Sequence, residues 1–204
     1  MAIHSGQSLI QQMNALEVPA GCVALWALGQ MGFALKAGNE IVYIDPCLSD
    51  VAALRSTDLR SEFARAFPPP LEPSDITNAS YVLCSHEHID HTDPLTLGPL
   101  AQASPESVIV ATGWSHELLD EAGIPAARRY IPQANTPFQL GDLKVTALPA
   151  AHYECEHDPA RGYRWLSFLL EWNGVTVFHS GDTLATPMAV SYTHLRAHET
   201  DSYL

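Results

Sequence analysis

His86-Glu87-His88-Ile89-Asp90-His91 follows directly on the apolar run Tyr81-Val82-Leu83-Cys84, so a buried strand delivers three imidazoles and a carboxylate onto one short loop. Imidazole nitrogen and carboxylate oxygen are the usual ligands of zinc and similar divalent ions. Neutral histidines rarely crowd together without a ligand to share. The stretch predicts a metal site at a strand end.

Working outward, Asp93 can cap a helix with Pro94 at its first position, residues 108–110 form a short apolar strand, and Ser115 can cap a second helix that stops at Gly123. Upstream, the runs 22–28, 33–36 and 41–44 are separated by Gly29, Gly32 and Gly38-Asn39, which predicts a β-meander closed by Asp45-Pro46. Leu9, Ile10, Met13 and Leu16 lie at helical spacing ahead of Pro19-Ala20-Gly21. From Val51 to Asp75 the periodicity weakens, and Pro68-Pro69-Pro70 with Pro73 predicts a loop or flap. Downstream, Leu143, Val145 and Ala147 alternate with polar neighbours, and 163–172 and 175–178 read as strands joined by the two-residue turn Asn173-Gly174. Strands interleaved with a few helices indicate an α/β or α+β class.

The 204 residues, 47% of them hydrophobic, suit one domain with a sizeable core. With 23 acidic residues against 10 Lys and Arg, the formal charge of -13 would repel nucleic-acid phosphates and anionic membrane surfaces. The expected partner is a small-molecule substrate, with no nucleic acid and no membrane. Cys22, Cys47, Cys84 and Cys155 form no CxxC pair, which argues against a disulfide framework. No secretion leader or membrane-spanning run is recognisable, so a cytoplasmic location is expected.

The six-residue string His86-x-His88-x-Asp90-His91 resembles the HxHxDH signature of the metallo-β-lactamase superfamily. Further motifs resemble that family in the expected order: Asp45 after the apolar strand, His152 in Leu148-Pro149-Ala150-Ala151-His152, and Asp182 in Phe178-His179-Ser180-Gly181-Asp182-Thr183. Gly29-Gln30-Met31-Gly32-Phe33, the segment 44–50 and the segment 178–183 look most like the ascorbate-6-phosphate lactonase-like branch. The resemblance implies an αββα sandwich with the site at one edge of two sheets. It assigns His86, His88 and His152 to one metal, Asp90 and His91 to a second, Asp182 as the bridge and Asp45 as a structural acid. It implies up to two divalent ions per chain, zinc or manganese with iron as a third candidate, and hydrolysis of a lactone, ester or phosphoester by a metal-bound hydroxide.

Asp90 and Asp182 are the candidate catalytic carboxylates, orienting the nucleophile and, for Asp90, carrying a proton to the leaving group. His157, Arg161 and Tyr163 are candidate substrate contacts, Arg161 being suited to an anionic group, against the alternative of a solvated loop. His179 reads as packing or as support behind the ligands. Residues 190–200 look like a translated sequencing adapter, so residues 1–188 read as an incomplete metallo-β-lactamase-like domain and 189–204 as foreign. On that reading the chain lacks the later histidine that the family supplies to the second metal, leaves apolar sheet surface uncovered and is prone to associate as a homo-oligomer. Three alternatives stay open: an inactive metal-binding fragment, a phosphodiesterase or nuclease of the superfamily, and a redox di-iron enzyme.

Overall fold

The computed structural model describes residues 4–56 and 64–187 of the chain. The reading of 189–204 as adapter, and the boundary at 188, lie outside the described residues.

The predicted meander is β1 (Ala24–Gly29), β2 (Gly32–Ala37) and β3 (Glu40–Ile44), paired antiparallel in sequence order. The chain then forms a short helix, α2 (Val51–Arg55), after the N-terminal helix α1 (Gly6–Ala15). Among the described residues of the stretch 51–75 that the sequence presents as a loop or flap, α2 and the 3-10 turn Pro73–Asp75 are regular, so the expectation of a plain loop is corrected at both ends. Three parallel strands extend the sheet: β4 (Tyr81–Leu83) beside β3, β5 (Val108–Val110) beside β4, and the two-residue β6 (Arg129–Tyr130) beside β5. Parallel neighbours require crossovers. The first of these after β4 carries α3 (Pro94–Ala103), and the next carries α4 (His116–Glu121).

Asp93 caps α3 as expected, its carboxylate accepting the Leu95 N–H at 2.9 Å. Ser115 stands at the N-cap of α4 without a side-chain cap bond, because its hydroxyl faces Thr92 and Thr112.

A second, antiparallel sheet has the order β12-β11-β8-β7, with β7 (Pro137–Leu140), β8 (Leu143–Pro149), β11 (Leu166–Trp172) and β12 (Val175–His179). Between β8 and β11 lies a small hairpin of β9 (His157–Asp158) and β10 (Gly162–Tyr163). The strand expected over 163–172 is therefore two strands, broken at Arg164-Trp165. There the backbone leaves the ladder: Arg164 N–H donates to Glu156 O and the Ala150 N–H to Trp165 O, both at 3.0 Å. Asn173 and Gly174 have φ of 51° and 79°, the doubly positive pair that a tight two-residue hairpin needs.

Two apolar clusters define the layers. Leu9, Ile10 and Met13 of α1, Leu97 and Leu100 of α3 and Leu119 of α4 pack on one face of the six-stranded sheet. Val42, Ile44, Leu83 and Val110 on its other face meet Leu143, Val145, Phe168 and Leu170 of the second sheet. The alternation of Leu143, Val145 and Ala147 puts all three in this inter-sheet core. An α, a β and a β layer thus follow in order, in the mixed class and sandwich arrangement expected. No helix among the described residues is long and apolar enough to cross a membrane.

Candidate metal centre

Four strand ends open at one edge of the two sheets. β3 and β4 run parallel and end at Ile44 and Leu83, with the Asp45 N–H donating to Leu83 O at 2.8 Å. β8 ends at Pro149 opposite Leu166, the start of β11, and β12 ends at His179 opposite Phe168. The Leu166 N–H donates to Ser85 O at 3.0 Å and stitches the second sheet to the histidine loop. The loop after β8 is tied to the loop after β12 at Ala151, whose N–H reaches Thr183 Oγ1 at 3.1 Å and whose carbonyl accepts from Leu184 N–H at 2.7 Å. His152 and Asp182 are thereby carried to the same place.

His86, His88, His152 and Asp182 each offer one donor atom, all within 4.8 Å of one another. A tetrahedral zinc site with bonds of about 2.0–2.1 Å has ligand separations of about 3.3 Å, so the widest pair needs to close by only about 1.5 Å. Asp182 Oδ2 lies 3.4 Å from His152 Nε2 and 3.2 Å from His91 Nε2. That places one carboxylate oxygen between imidazoles that the family resemblance gives to different metals. His91 Nε2 is buried and faces Asp182 Oδ2 as a close ion pair.

Behind the ligands stands a wholly buried acid. Asp45 Oδ1 accepts the Ser85 N–H at 2.7 Å, while Oδ2 accepts from Ser85 Oγ at 2.7 Å, His91 Nδ1 at 2.8 Å and His179 Nε2 at 2.9 Å. Having given its proton to Asp45, the Ser85 hydroxyl accepts from His86 Nδ1 at 3.0 Å, which leaves the His86 Nε2 lone pair facing His88. This is the orientation that supporting hydrogen bonds impose on metal-binding histidines. His179 is thus part of the support for the centre, as the sequence suggests. Ser85, immediately before the string, is a supporting residue that sequence reasoning misses, its position beside His86 being the sole signal.

Electrostatics sort the histidines. Burial, reinforced by the charge on His91, pushes His86 down to about 3, and burial lowers His88 as well. Both are neutral at pH 7, the state a ligand must have. Burial also works against a charge on His91, but hydrogen bonds and attraction from Asp182 and Asp45 outweigh it and raise the group to about 10. Asp182 is held below the usual carboxylate range, chiefly by His91.

Asp90 is half-buried, stands outside the four-donor cluster and acts electrostatically on His88 and Cys47. His157, Arg161 and Tyr163 come together on the β9–β10 hairpin and line a cavity of about 200 Å³ with Thr112, Ile131 and Gln133. None of the four clustered residues lines that cavity.

Residues 41–199 match the family described as Beta-lactamase superfamily domain. The chain belongs to this superfamily. An uncharacterized protein of Mycobacterium tuberculosis is 28% identical over 121 residues, 58% of this chain and 32% of the relative. The superfamily chain thus spans about a third of the length of the curated relatives it matches. Among solved structures, a possible metal-dependent hydrolase from Veillonella parvula is similar with a TM-score of 0.62 and 18% identity, covering 86% of this chain and 68% of the other. The isothiocyanate hydrolase from Delia radicum gut bacteria has a TM-score of 0.61 at 17% identity, with coverage of 86% and 69%. These likenesses carry the superfamily fold.

Proposed function

We propose that this chain carries the metal centre of a metal-dependent hydrolase acting on a lactone, ester or phosphoester. The observation that carries this reading is the convergence of His86, His88, His152 and Asp182 at the open edge of the two sheets, backed by the buried Asp45 network. These four residues would hold a divalent ion, which would supply Lewis acidity and a water acidified towards neutrality. Zinc and manganese suit the donor set, with iron as a third candidate.

The chain's own groups complete the chemistry. His86 and His88 stay neutral and bind. Asp182 keeps a negative charge between His91 and His152 and orients the attacking water. Asp90 takes the released proton towards the leaving group. If a second ion binds, His91, Asp90 and Asp182 would hold it, and weakly, since His91 would first have to give up its proton. The motifs at 29–33, 44–50 and 178–183 favour a lactonase-like substrate of the ascorbate-6-phosphate type, and Arg161 favours an anionic one. The acidic net charge disfavours polynucleotides, and four unpaired cysteines suit a reducing cytoplasm.

The test is a panel of lactones, esters and phosphodiesters offered to the chain loaded with zinc, manganese or iron. Turnover that requires metal and falls at least a hundredfold in His152→Ala is expected. Stoichiometric metal uptake with no turnover of any substrate class would favour a second reading, a metal-binding fragment. That reading draws on Asp90 standing outside the one four-donor cluster found among the described residues.

A further inference from the structure

His86 and His88 reach the centre from the loop after β4, and His152 from the loop after β8. Glu87, which separates the two imidazoles in sequence, pairs through Oε1 with Arg164 Nε. Arg164 Nη1 reaches Glu156 Oε2 at 3.0 Å, and its backbone N–H is bonded to Glu156 O. The same guanidinium lies over the Trp114 ring at 5.0 Å and over the Trp165 ring at 4.9 Å. Trp165 is in turn 6.1 Å from the His152 ring, on which Tyr153 stacks at 4.4 Å. A single side chain therefore joins the residue between two candidate ligands to the aromatic wall behind the third.

We propose that Arg164 is a positioning residue that sets the spacing between His86 and His88 on one loop and His152 on the other. A guanidinium is planar and permanently charged. Laid against two indoles, it has its donors aimed in its own plane, one at Glu87 and one at Glu156. Rotation of either loop breaks a charge-assisted hydrogen bond that water replaces poorly, since Glu87 is mostly enclosed and its Oε2 has no partner at all. A lysine keeps the charge but offers neither the plane nor the paired donors. The strand break at Arg164-Trp165 has a purpose on this account: it releases Arg164 from the ladder to reach Glu87.

The inference rests on the reading of the cluster as a metal centre, and the experiment separates the two. Zinc affinity is measured by chelator competition for the wild-type chain, Arg164→Gln, Arg164→Lys and Glu87→Gln, with Arg129→Gln as a control, whose ion pair is to Asp120 on α4. Visible spectra of the cobalt-loaded proteins report ligand geometry, and melting of the metal-free proteins reports folding. Arg164→Gln and Glu87→Gln are expected to lose roughly tenfold or more in zinc affinity and to change the cobalt spectrum. Arg164→Lys is expected to rescue neither, and Arg129→Gln to match the wild type. Wild-type affinity and an unchanged cobalt spectrum in a folded Glu87→Gln or Arg164→Gln would overturn the positioning role while leaving the metal centre standing. A wild-type chain that takes up no zinc would overturn the metal centre, and the positioning role with it.

Discussion

His91 Nδ1 donates a 2.8 Å hydrogen bond to Asp45 Oδ2, and both side chains are wholly buried. Asp45 is also left-handed, with φ of 44°, a conformation that Asp and Asn tolerate better than most residues. Its place at the end of β3 and its role as acceptor for two histidines and a serine are therefore one design: the turn aims the carboxylate across the sheet edge.

Asp45→Asn keeps the turn and removes the charge. The buried His91 and His179 then lose their common acceptor charge, and breaking one side of a buried charged pair costs about 3–5 kcal/mol. Urea denaturation of the metal-free protein should show a loss of that size, and zinc affinity should fall as His91 and His86 lose their orientation. Wild-type stability in Asp45→Asn would show that the network is neutral in the folded chain.

The metal-free chain should be most stable near pH 6.5, and the signs follow from three groups. His86 is shifted from an ordinary 6.5 down to about 3, so the unfolded chain binds protons that the fold refuses, and stability is lost as pH falls below 6.5. Asp45 is depressed from an ordinary 3.8 despite its burial, because His179 and His91 hold it charged. Its contribution is present above 3.8 and lost as the pH falls further. His91, raised from 6.5 to about 10, contributes fully below 6.5 and loses that contribution as pH rises through 10. Denaturation midpoints between pH 4 and 10 should trace a dome, and His91→Gln should flatten its alkaline limb.

Gly181→Ala should disturb the centre without touching a ligand. Gly181 has φ of 54°, and a Cβ there would meet Leu166 O at 2.8 Å and Ser85 Cβ at 3.1 Å. Forcing a side chain into that space costs about 1–3 kcal/mol in backbone strain and shifts Asp182, the next residue. Melting should fall by several degrees, and zinc affinity should fall more than it does for a surface glycine such as Gly38, where a Cβ meets nothing.

The parts of this fold legible in the sequence are those whose signal is local. Residues His86 to His91 follow a strand, and Asp93-Pro94 and Asn173-Gly174 are short punctuation with one structural meaning each. β6 was not legible because Arg129–Tyr130 is a strand only through its pairing with β5, and β7 opens on a proline. Of the candidate site, the donors His86, His88, His152 and Asp182 sit in compact motifs, and the fold brings these four together. Arg164 was hidden because Glu87 and Trp114 come from distant parts of the chain, and its charge is unremarkable until they meet it beside Glu156 and Trp165. Proximity in sequence did not show where His157, Arg161 and Tyr163 would point: they follow His152 closely, and the β9–β10 hairpin carries them to a cavity walled by the loops after β5 and β6.

The cysteines give a check on the packing around Asp45 that does not depend on metal. Cys22 and Cys155 are exposed, whereas Cys47 and Cys84 are buried and none is in a disulfide. Burial, with Asp93 adding to it, pushes the Cys47 thiol up to about 12, and burial followed by the Asp45 charge raises Cys84 as well. Only the thiolate reacts with an alkylating reagent, so both buried thiols are protected twice, by access and by ionisation. Iodoacetamide at pH 8 should modify Cys22 first and Cys155 more slowly, since partial burial also raises the latter. Cys47 and Cys84 should react only once urea unfolds the chain, as read by mass spectrometry. Labelling of Cys84 in the folded protein would mean that the strand carrying the histidine loop opens independently of the core, and the Asp45 network could not then be the rigid support inferred for it.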